Sequence, residues 1–383
     1  MIKKIYYKLL EFARAISDRG KFRKLFKGHQ GEKFIILISH SGDTGGGAPV
    51  VLYELAKSLN KSNNVIFLTH GRGKIIDLCK KQNISVFETS FLYRKYLKQI
   101  NANSEKIDFM VINTAVLHFY LSYLEKLKFP GKVIWWIHES NDLINEYQEY
   151  IREYNLNHFR ICCVSPLVKA SISDACQIDE NKLSLLPYGI VDKGALPVQN
   201  RTEPFIISLI GRVDERKNQI ELVQAYKKLP SSLQKKIRLL MVAGSCDEGY
   251  LRKLTPLIEG QANIKIIGPI PRDKMQDIYS KSNLIVCTSK NDPLPVVITE
   301  AMMYGRLFIT SNETGQALIA EKTFADFIYK SGDTDGLART IERVCTHYND
   351  YDDFYVQERR LYLSDFSISG AVNNLRTIVK EMD

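Results

Sequence analysis

Short apolar runs alternate with amphipathic helical patterns along almost the whole chain, and that alternation leaves few folds open. In the first half the runs are Phe34–Ser39, Val65–Thr69, Ser85–Phe87, Phe109–Asn113, Val133–Ile137 and Arg160–Ser165. In the second half they are Phe205–Ile210, Ile237–Ala243, Ile264–Ile266, Leu284–Cys287, Leu307–Thr310 and Phe327–Tyr329. Apolar runs of this length, with little polar alternation, read as strands buried on both faces of a parallel sheet. Helical patterns between them, clearest over Val116–Leu127, predict doubly wound α/β sheets. The pattern occurs twice, on either side of the polar, proline-bearing stretch 193–204, and 383 residues suit two domains. The expected order is a basic segment over 1–33, a Rossmann-like domain over 34–192, a linker over 193–204, a second Rossmann-like domain over 205–365, and a helical tail over 366–383.

Charge is placed unevenly. Residues 1–33 hold ten Lys or Arg against Glu11, Asp18 and Glu32, a net +7 out of +10 for the whole chain. Ile2, Ile5, Tyr6, Leu9, Leu10, Ala13 and Ile16 recur at three- and four-residue steps, so 2–16 reads as an amphipathic helix with a basic face. Such a segment suits an anionic membrane surface, met through residues 1–30. No nucleic-acid recognition motif accompanies the charge, so nucleic acid is not an expected partner. No run approaches the roughly 18–20 apolar residues of a spanning helix, and no apolar block with a cleavage site opens the chain. The expected location is the cytoplasm, peripheral on the inner face of the cell membrane. The seven cysteines contain no Cys-x-x-Cys pair and several sit in apolar runs, which reads as free buried thiols in a reducing compartment.

Two stretches carry the chemistry. In NLIVCTSKNDPLPVVITEAMMYG, Asn283 to Gly305, an apolar strand ends in a polar turn and then opens a helix, with Asp292 and Glu300 on either side of the opening. A helix start at the carboxyl edge of a parallel sheet binds anions, phosphates above all, and carboxylates beside it accept hydrogen bonds from hydroxyl groups. One edge thus suits phosphate and sugar together, which a nucleotide-sugar presents. In the second stretch, FIISLI is followed by GRVDERKNQ, where Gly211 allows a tight turn and Arg212 and Lys217 place two cations before a helix. Elsewhere, HSGDTGGG after the first strand has no Gly-Lys-Ser/Thr ending and fails the Gly-x-Gly-x-x-Gly spacing. Asp333-Thr334-Asp335 follows the last strand and reads as a helix N-cap.

An acid, seven residues and then Glu, together with Gly-Arg and a Lys five positions on, resembles the retaining Leloir-type glycosyltransferases of family 4, of the bacterial surface-polysaccharide kind. The resemblance runs from about Phe34 to Leu337. It implies the GT-B architecture, two Rossmann-like domains facing a central cleft, with the last helix crossing back onto the first domain. It implies donor contacts from Gly46, Gly47, Arg212, Lys217, Asp292, Leu294, Val296 and Glu300, with Asp292 on sugar hydroxyls and Glu300 on the ribose. His138, Asp292, Arg212 and Lys217 are the implied catalytic residues, His138 facing the donor sugar. The sequence departs from the family pattern in having Asp292 in place of Glu, Pro295 where Gly is usual, and Tyr188 where Asn precedes Gly189.

The implied reaction moves a sugar from a nucleotide-sugar to a hydroxyl of a glycan or glycolipid, retaining the anomeric configuration. No metal and no cofactor are expected, because Arg212, Lys217 and helix-start amides can stabilise the leaving diphosphate. The alternative is a catalytically silent GT-B subunit that stabilises or recruits an active glycosyltransferase. An epimerase or phosphorylase of the same architecture is a further rival, the latter lacking an identifiable pyridoxal-binding lysine.

Overall fold

The computed structural model describes residues 18–27, 31–44, 47–197 and 203–383. The basic amphipathic helix expected over 2–16, and Gly46, lie outside the described residues. The chain forms two compact units. The first runs to Val164, with Val168–Gly189 and Ile368–Asp383; the second holds Ser165–Leu167 and Ile190–Ser367.

In the first unit the strands are β1 Phe34–Ser39, β2 Asn64–Thr69, β3 Ser85–Glu88, β4 Ile107–Asn113, β5 Lys132–Ile137, β6 His158–Cys163 and β7 Leu183–Leu185. They form one parallel sheet in the order β3-β2-β1-β4-β5-β6-β7. All six residues of β1 are buried, as a central strand covered on both faces requires, which is why Phe34 to Ile38 reads as an unbroken apolar run. The strand order reverses between β1 and β4. At such a switch point the loops leaving the two strands diverge and open a crevice at the sheet's carboxyl edge.

The second unit repeats the plan with β8 Phe205–Ile210, β9 Ile237–Val242, β10 Ile264–Ile267, β11 Leu284–Cys287, β12 Phe308–Ser311 and β13 Ile328–Tyr329. Its parallel sheet runs β10-β9-β8-β11-β12-β13, so its switch point lies between β8 and β11. Those are the strands that feed the two chemically loaded stretches.

Helix ends follow local rules. Helix Val296–Tyr304 stops at Gly305, whose φ of 63° gives the left-handed cap that glycine adopts without strain. Asp333 caps helix Thr334–Thr346, its Oδ1 accepting the Gly336 N–H at 2.8 Å, while Asp335 pairs with Lys228 at 2.8 Å.

Three differences from the sequence expectation have physical causes. The stretch expected as a linker, 193–204, belongs where described to the second unit: the Leu196 N–H bonds the Tyr304 carbonyl at 3.0 Å, and Arg306 donates to the Pro197 carbonyl at 3.1 Å. A main chain that finds such partners is held to its unit. The helix expected over Val116–Leu127 is a 3-10 turn, Ala115–Leu117, then helix His118–Lys126, because Thr114 at φ 88° turns the chain sharply first. Strand β7 was not anticipated; it is three residues at the sheet edge, too short to show a period.

Helix Ile368–Lys380 packs on helix Gly47–Leu59 of the first unit. It is secured by Arg376 donating to Asn63 Oδ1 at 3.2 Å, by Lys132 reaching the Val379 carbonyl at 3.0 Å and Asp383 at 2.6 Å, and by His158 bonding the Met382 carbonyl at 2.7 Å.

Candidate functional site

The loops leaving β8 and β11 are clipped together at the second unit's switch point. The β8 loop begins at Gly211, φ 156°, where an added Cβ would stand 3.4 Å from Lys217 Cε. That is ordinary van der Waals contact, so it is the backbone conformation rather than crowding that favours glycine here. Asp214 Oδ1 accepts the Lys217 N–H at 2.9 Å, and Gln219 Nε2 donates to the Arg212 carbonyl at 2.8 Å. From the β11 loop, the Thr288 hydroxyl lies 2.8 Å from the Lys217 carbonyl and 3.0 Å from that of Asn218, and the Lys290 N–H donates to the Arg216 carbonyl at 2.7 Å.

This clipping brings Lys217 and Asp292 together. Lys217 Nζ and Arg216 Nη1 each lie 2.7 Å from Asp292 Oδ2. The side chains of Asp292 and Lys217 are 9% and 13% exposed, while Arg216 remains 46% exposed. Burial alone would raise the Asp292 carboxyl, but Lys217 and then Arg216 outweigh it and hold the group below its ordinary range. Both cations lie closest to Oδ2. Arg212 is more open, its Nε 3.6 Å from Asp214.

Behind the loop, Gly315 approaches so closely that a Cβ there would fall 1.9 Å from the Pro293 carbonyl oxygen. Gln316 donates to the Pro295 carbonyl at 2.8 Å. Leu294 is 3% exposed, so its side chain belongs to the core. Val296 is the first residue of helix Val296–Tyr304. One turn on, Glu300 Oε2 accepts the hydroxyl of fully buried Tyr279 at 2.7 Å. Burial raises the Glu300 carboxyl above its ordinary range, with the Tyr279 hydroxyl opposing.

In the first unit, Gly47 is the first residue of helix Gly47–Leu59, following the β1 loop, and among the described residues the space where its Cβ would stand is open for 4 Å. His138 follows β5. Its ring lies nearly parallel to that of Tyr188, centroids 6.1 Å apart, which gives the departure at Tyr188 a structural role. Burial, and then nearby His40, push His138 down to about 3, so its imidazole is neutral at ordinary pH. Its Nε2 is buried without a hydrogen-bond partner among the described residues. Next to it, Glu139 is 6% exposed and accepts the Ala115 N–H at 2.7 Å and the His138 N–H at 2.8 Å.

Burial pushes Glu139 up to about 7, against these amides. A raised carboxyl is protonated in the folded chain while already ionised in the unfolded one. Stability should therefore fall as pH rises from about 4.5 to about 7, by on the order of 3 kcal/mol. Glu139→Gln should flatten that slope, read as Tm across pH 5 to 8; an unchanged slope would remove Glu139 as its source.

Arg216, Asp214, Tyr279 and Glu139 were not singled out from sequence. Arg216 had one available signal, a second cation beside Lys217, and Asp214 another, an acid three residues before it; Tyr279 and Glu139 act through contacts distant in the chain.

Two family models match the chain: glycosyl transferases group 1 over residues 196–360 and glycosyl-transferase family 4 over residues 31–177. No curated protein matches it in sequence. Among solved structures, it resembles Anabaena Alr3699/HepE in complex with UDP, at 16% identity, covering 91% of this chain and 99% of that one, TM-score 0.73. It also resembles a glycosyltransferase from Rickettsia africae, at 19% identity, 91% and 98% coverage, TM-score 0.73. A third is the lipopolysaccharide outer core galactosyltransferase WaaB, at 15% identity, 91% and 99% coverage, TM-score 0.69. At these identities the structural likeness speaks to the fold.

Proposed function

Because the chain belongs to the family 4 glycosyltransferases of GT-B architecture, we propose that it moves a sugar from a nucleotide-sugar to a hydroxyl of a lipid-linked glycan, with retention, in surface polysaccharide synthesis. The observation that carries the donor half is the convergence of Lys217 and Arg216 on Asp292 at the second unit's switch point. In this reading Arg212, Arg216 and Lys217 offset the negative charge that grows on the diphosphate as the glycosidic bond breaks. Asp292 Oδ1 accepts from sugar hydroxyls, and Oδ2 keeps the two cations in place. Glu300, oriented by Tyr279, receives the ribose hydroxyls. Neutral His138 offers an uncharged ring nitrogen to a sugar hydroxyl; a buried atom left unpaired costs about 1–3 kcal/mol, which a bound hydroxyl would recover. No residue here is assigned as a covalent nucleophile. A structure of a relative bound to UDP-glucose makes uridine nucleotides the first donors to try.

The test is thermal shift of the full chain against UDP, GDP, dTDP and CDP, then their sugars. A ligand at 100 times its Kd adds roughly 2.7 kcal/mol, a rise of several degrees. One nucleotide should stabilise the wild type and fail with Glu300→Ala. No rise with any nucleotide would favour the silent-subunit alternative. Product made with inverted anomeric configuration, read by NMR coupling constants, would sink retention.

The acceptor half rests on the basic residues 1–33, which suit work at the cytoplasmic face of a membrane. No helix among the described residues is long and apolar enough to cross one. Transfer to a membrane-embedded acceptor should fall when residues 1–17 are removed, and undiminished transfer would end the anchoring claim.

A further inference from the structure

Residues 18–27 form a helix that is built into the first unit through Phe22 and Phe26, 0% and 3% exposed. Phe22 meets the rings of Phe87 and Tyr96 edge-on at 5.2 and 4.9 Å, and Phe26 meets Phe34 at 5.3 Å. Seated this way, the helix lines a cavity of about 650 Å³ with Arg19, Arg23 and Lys27. Steps of four residues place those three on one helical face. The other wall is helix Tyr93–Asn101, which supplies Lys95 and Lys98 and is itself held by buried Tyr96, Leu97 and Ile100.

None of these five cations has a carboxylate partner, and no carboxylate lines the cavity, among the described residues. Lys21, on the same helix but outside the cavity, does pair with Asp18, at 3.5 Å. Gln99, also on the wall, has a buried side-chain oxygen without a hydrogen-bond partner among the described residues. An amide flip exchanges that atom for N–H donors. Five like charges around one cavity repel one another unless a counter-charge sits among them. Forked guanidinium donors and compact ammonium groups together match an oxyanion with several charged oxygens.

We propose that this cavity binds a phosphate or diphosphate group, carried by a lipid headgroup or by a soluble molecule. The cavity lies wholly in the first unit and does not depend on the donor reading, since binding is measured without turnover. Three forms of the full chain are compared: wild type, R23Q/K98Q, and K21Q/K24Q, which makes the same charge change outside the cavity. Each is titrated calorimetrically with inorganic pyrophosphate, and sedimented with phosphatidylcholine vesicles with or without phosphatidylglycerol. Near an anionic lipid surface each cation is worth roughly fivefold, so R23Q/K98Q should weaken binding about thirtyfold and K21Q/K24Q much less.

If pyrophosphate binds and also displaces the protein from the acidic vesicles, the bound group is a headgroup. If the cavity-specific loss appears with pyrophosphate alone, the ligand is soluble; with vesicles alone, it is lipid. Equal losses in the two variants would mean a diffuse positive surface and overturn the proposal, as would no loss in R23Q/K98Q by either measurement. Tm values of the variants, whose altered side chains are exposed, confirm that they fold.

Discussion

Lys217→Ala is expected to lower kcat by roughly 100- to 1000-fold, the range seen when one preorganised group facing developing charge is removed. It should also destabilise the protein, because the Asp292 side chain is only 9% exposed and Lys217 is one of the two cations that neutralise it. Complete loss of a partner from a buried ion pair costs about 3–5 kcal/mol. Arg216 remains on the same oxygen here, so about 2–3 kcal/mol is the expected cost. The pH dependence has a definite sign. Asp292 is held below its ordinary range, so its contribution is present above the unfolded carboxyl value of about 3.9 and disappears as pH falls through the lower folded value. The Tm gap between wild type and Lys217→Ala should therefore close in acid. A gap of constant size down to pH 3 would show that the ion pair is not its source. Adding Asp292→Asn should recover part of the stability but not turnover, since it removes a buried charge left with one cation and keeps the catalytic defect.

Gly315→Ala is the second large expected effect. The added carbon would fall 1.9 Å from the Pro293 carbonyl oxygen and 2.6 Å from Ser165 Cβ, and a main-chain oxygen cannot step aside alone. A loss of about 3 kcal/mol or more in denaturant unfolding is expected, at or beyond the usual range for overpacking. The damage should reach the site, because the Gly315 N–H donates to the Asp292 carbonyl at 3.0 Å. A displacement of about 1 Å in a positioned group can lower a rate roughly 100-fold. Gly47→Ala is the contrast: among the described residues nothing lies within 4 Å of its would-be Cβ, and alanine suits a helix position, so stability should change by less than about 1 kcal/mol. Equal stability of the Gly315→Ala protein and the wild type would show that the β11 loop yields more readily than its contacts imply.

The alternation of apolar runs was enough to predict two parallel sheets, because a strand covered on both faces is apolar along nearly all its length, as β11 is throughout and β1 is up to Ile38. Edges were less legible: β7, with Leu185 42% exposed, has neither the length nor the burial to leave a pattern. Spacing drew attention to Lys217 and Asp292 separately. Their contact was invisible, since 75 residues separate them and only the strand order β8-β11 brings their loops side by side. Arg216 looked like one more charge in a polar stretch, and its role depends on where Asp292 lies. Gly315 drew no notice in the sequence; the pressure on it comes from Pro293, across the switch-point loop. Tyr188 could be noticed as a departure, but its ring's alignment with His138 is a tertiary fact.

The placement of helix Ile368–Lys380 on the first unit sets an order of events during synthesis. A ribosome makes residues 34–189 first, yet the helix that covers helix Gly47–Leu59 emerges only after 190–367. The second unit, contiguous over 190–367 apart from a few residues, can close as soon as it clears the tunnel. The first must wait with an apolar helix face uncovered, and Lys132 and His158 without the partners they find at Val379, Met382 and Asp383. The earlier-made unit thus cannot complete its packing until the last segment of the chain has emerged.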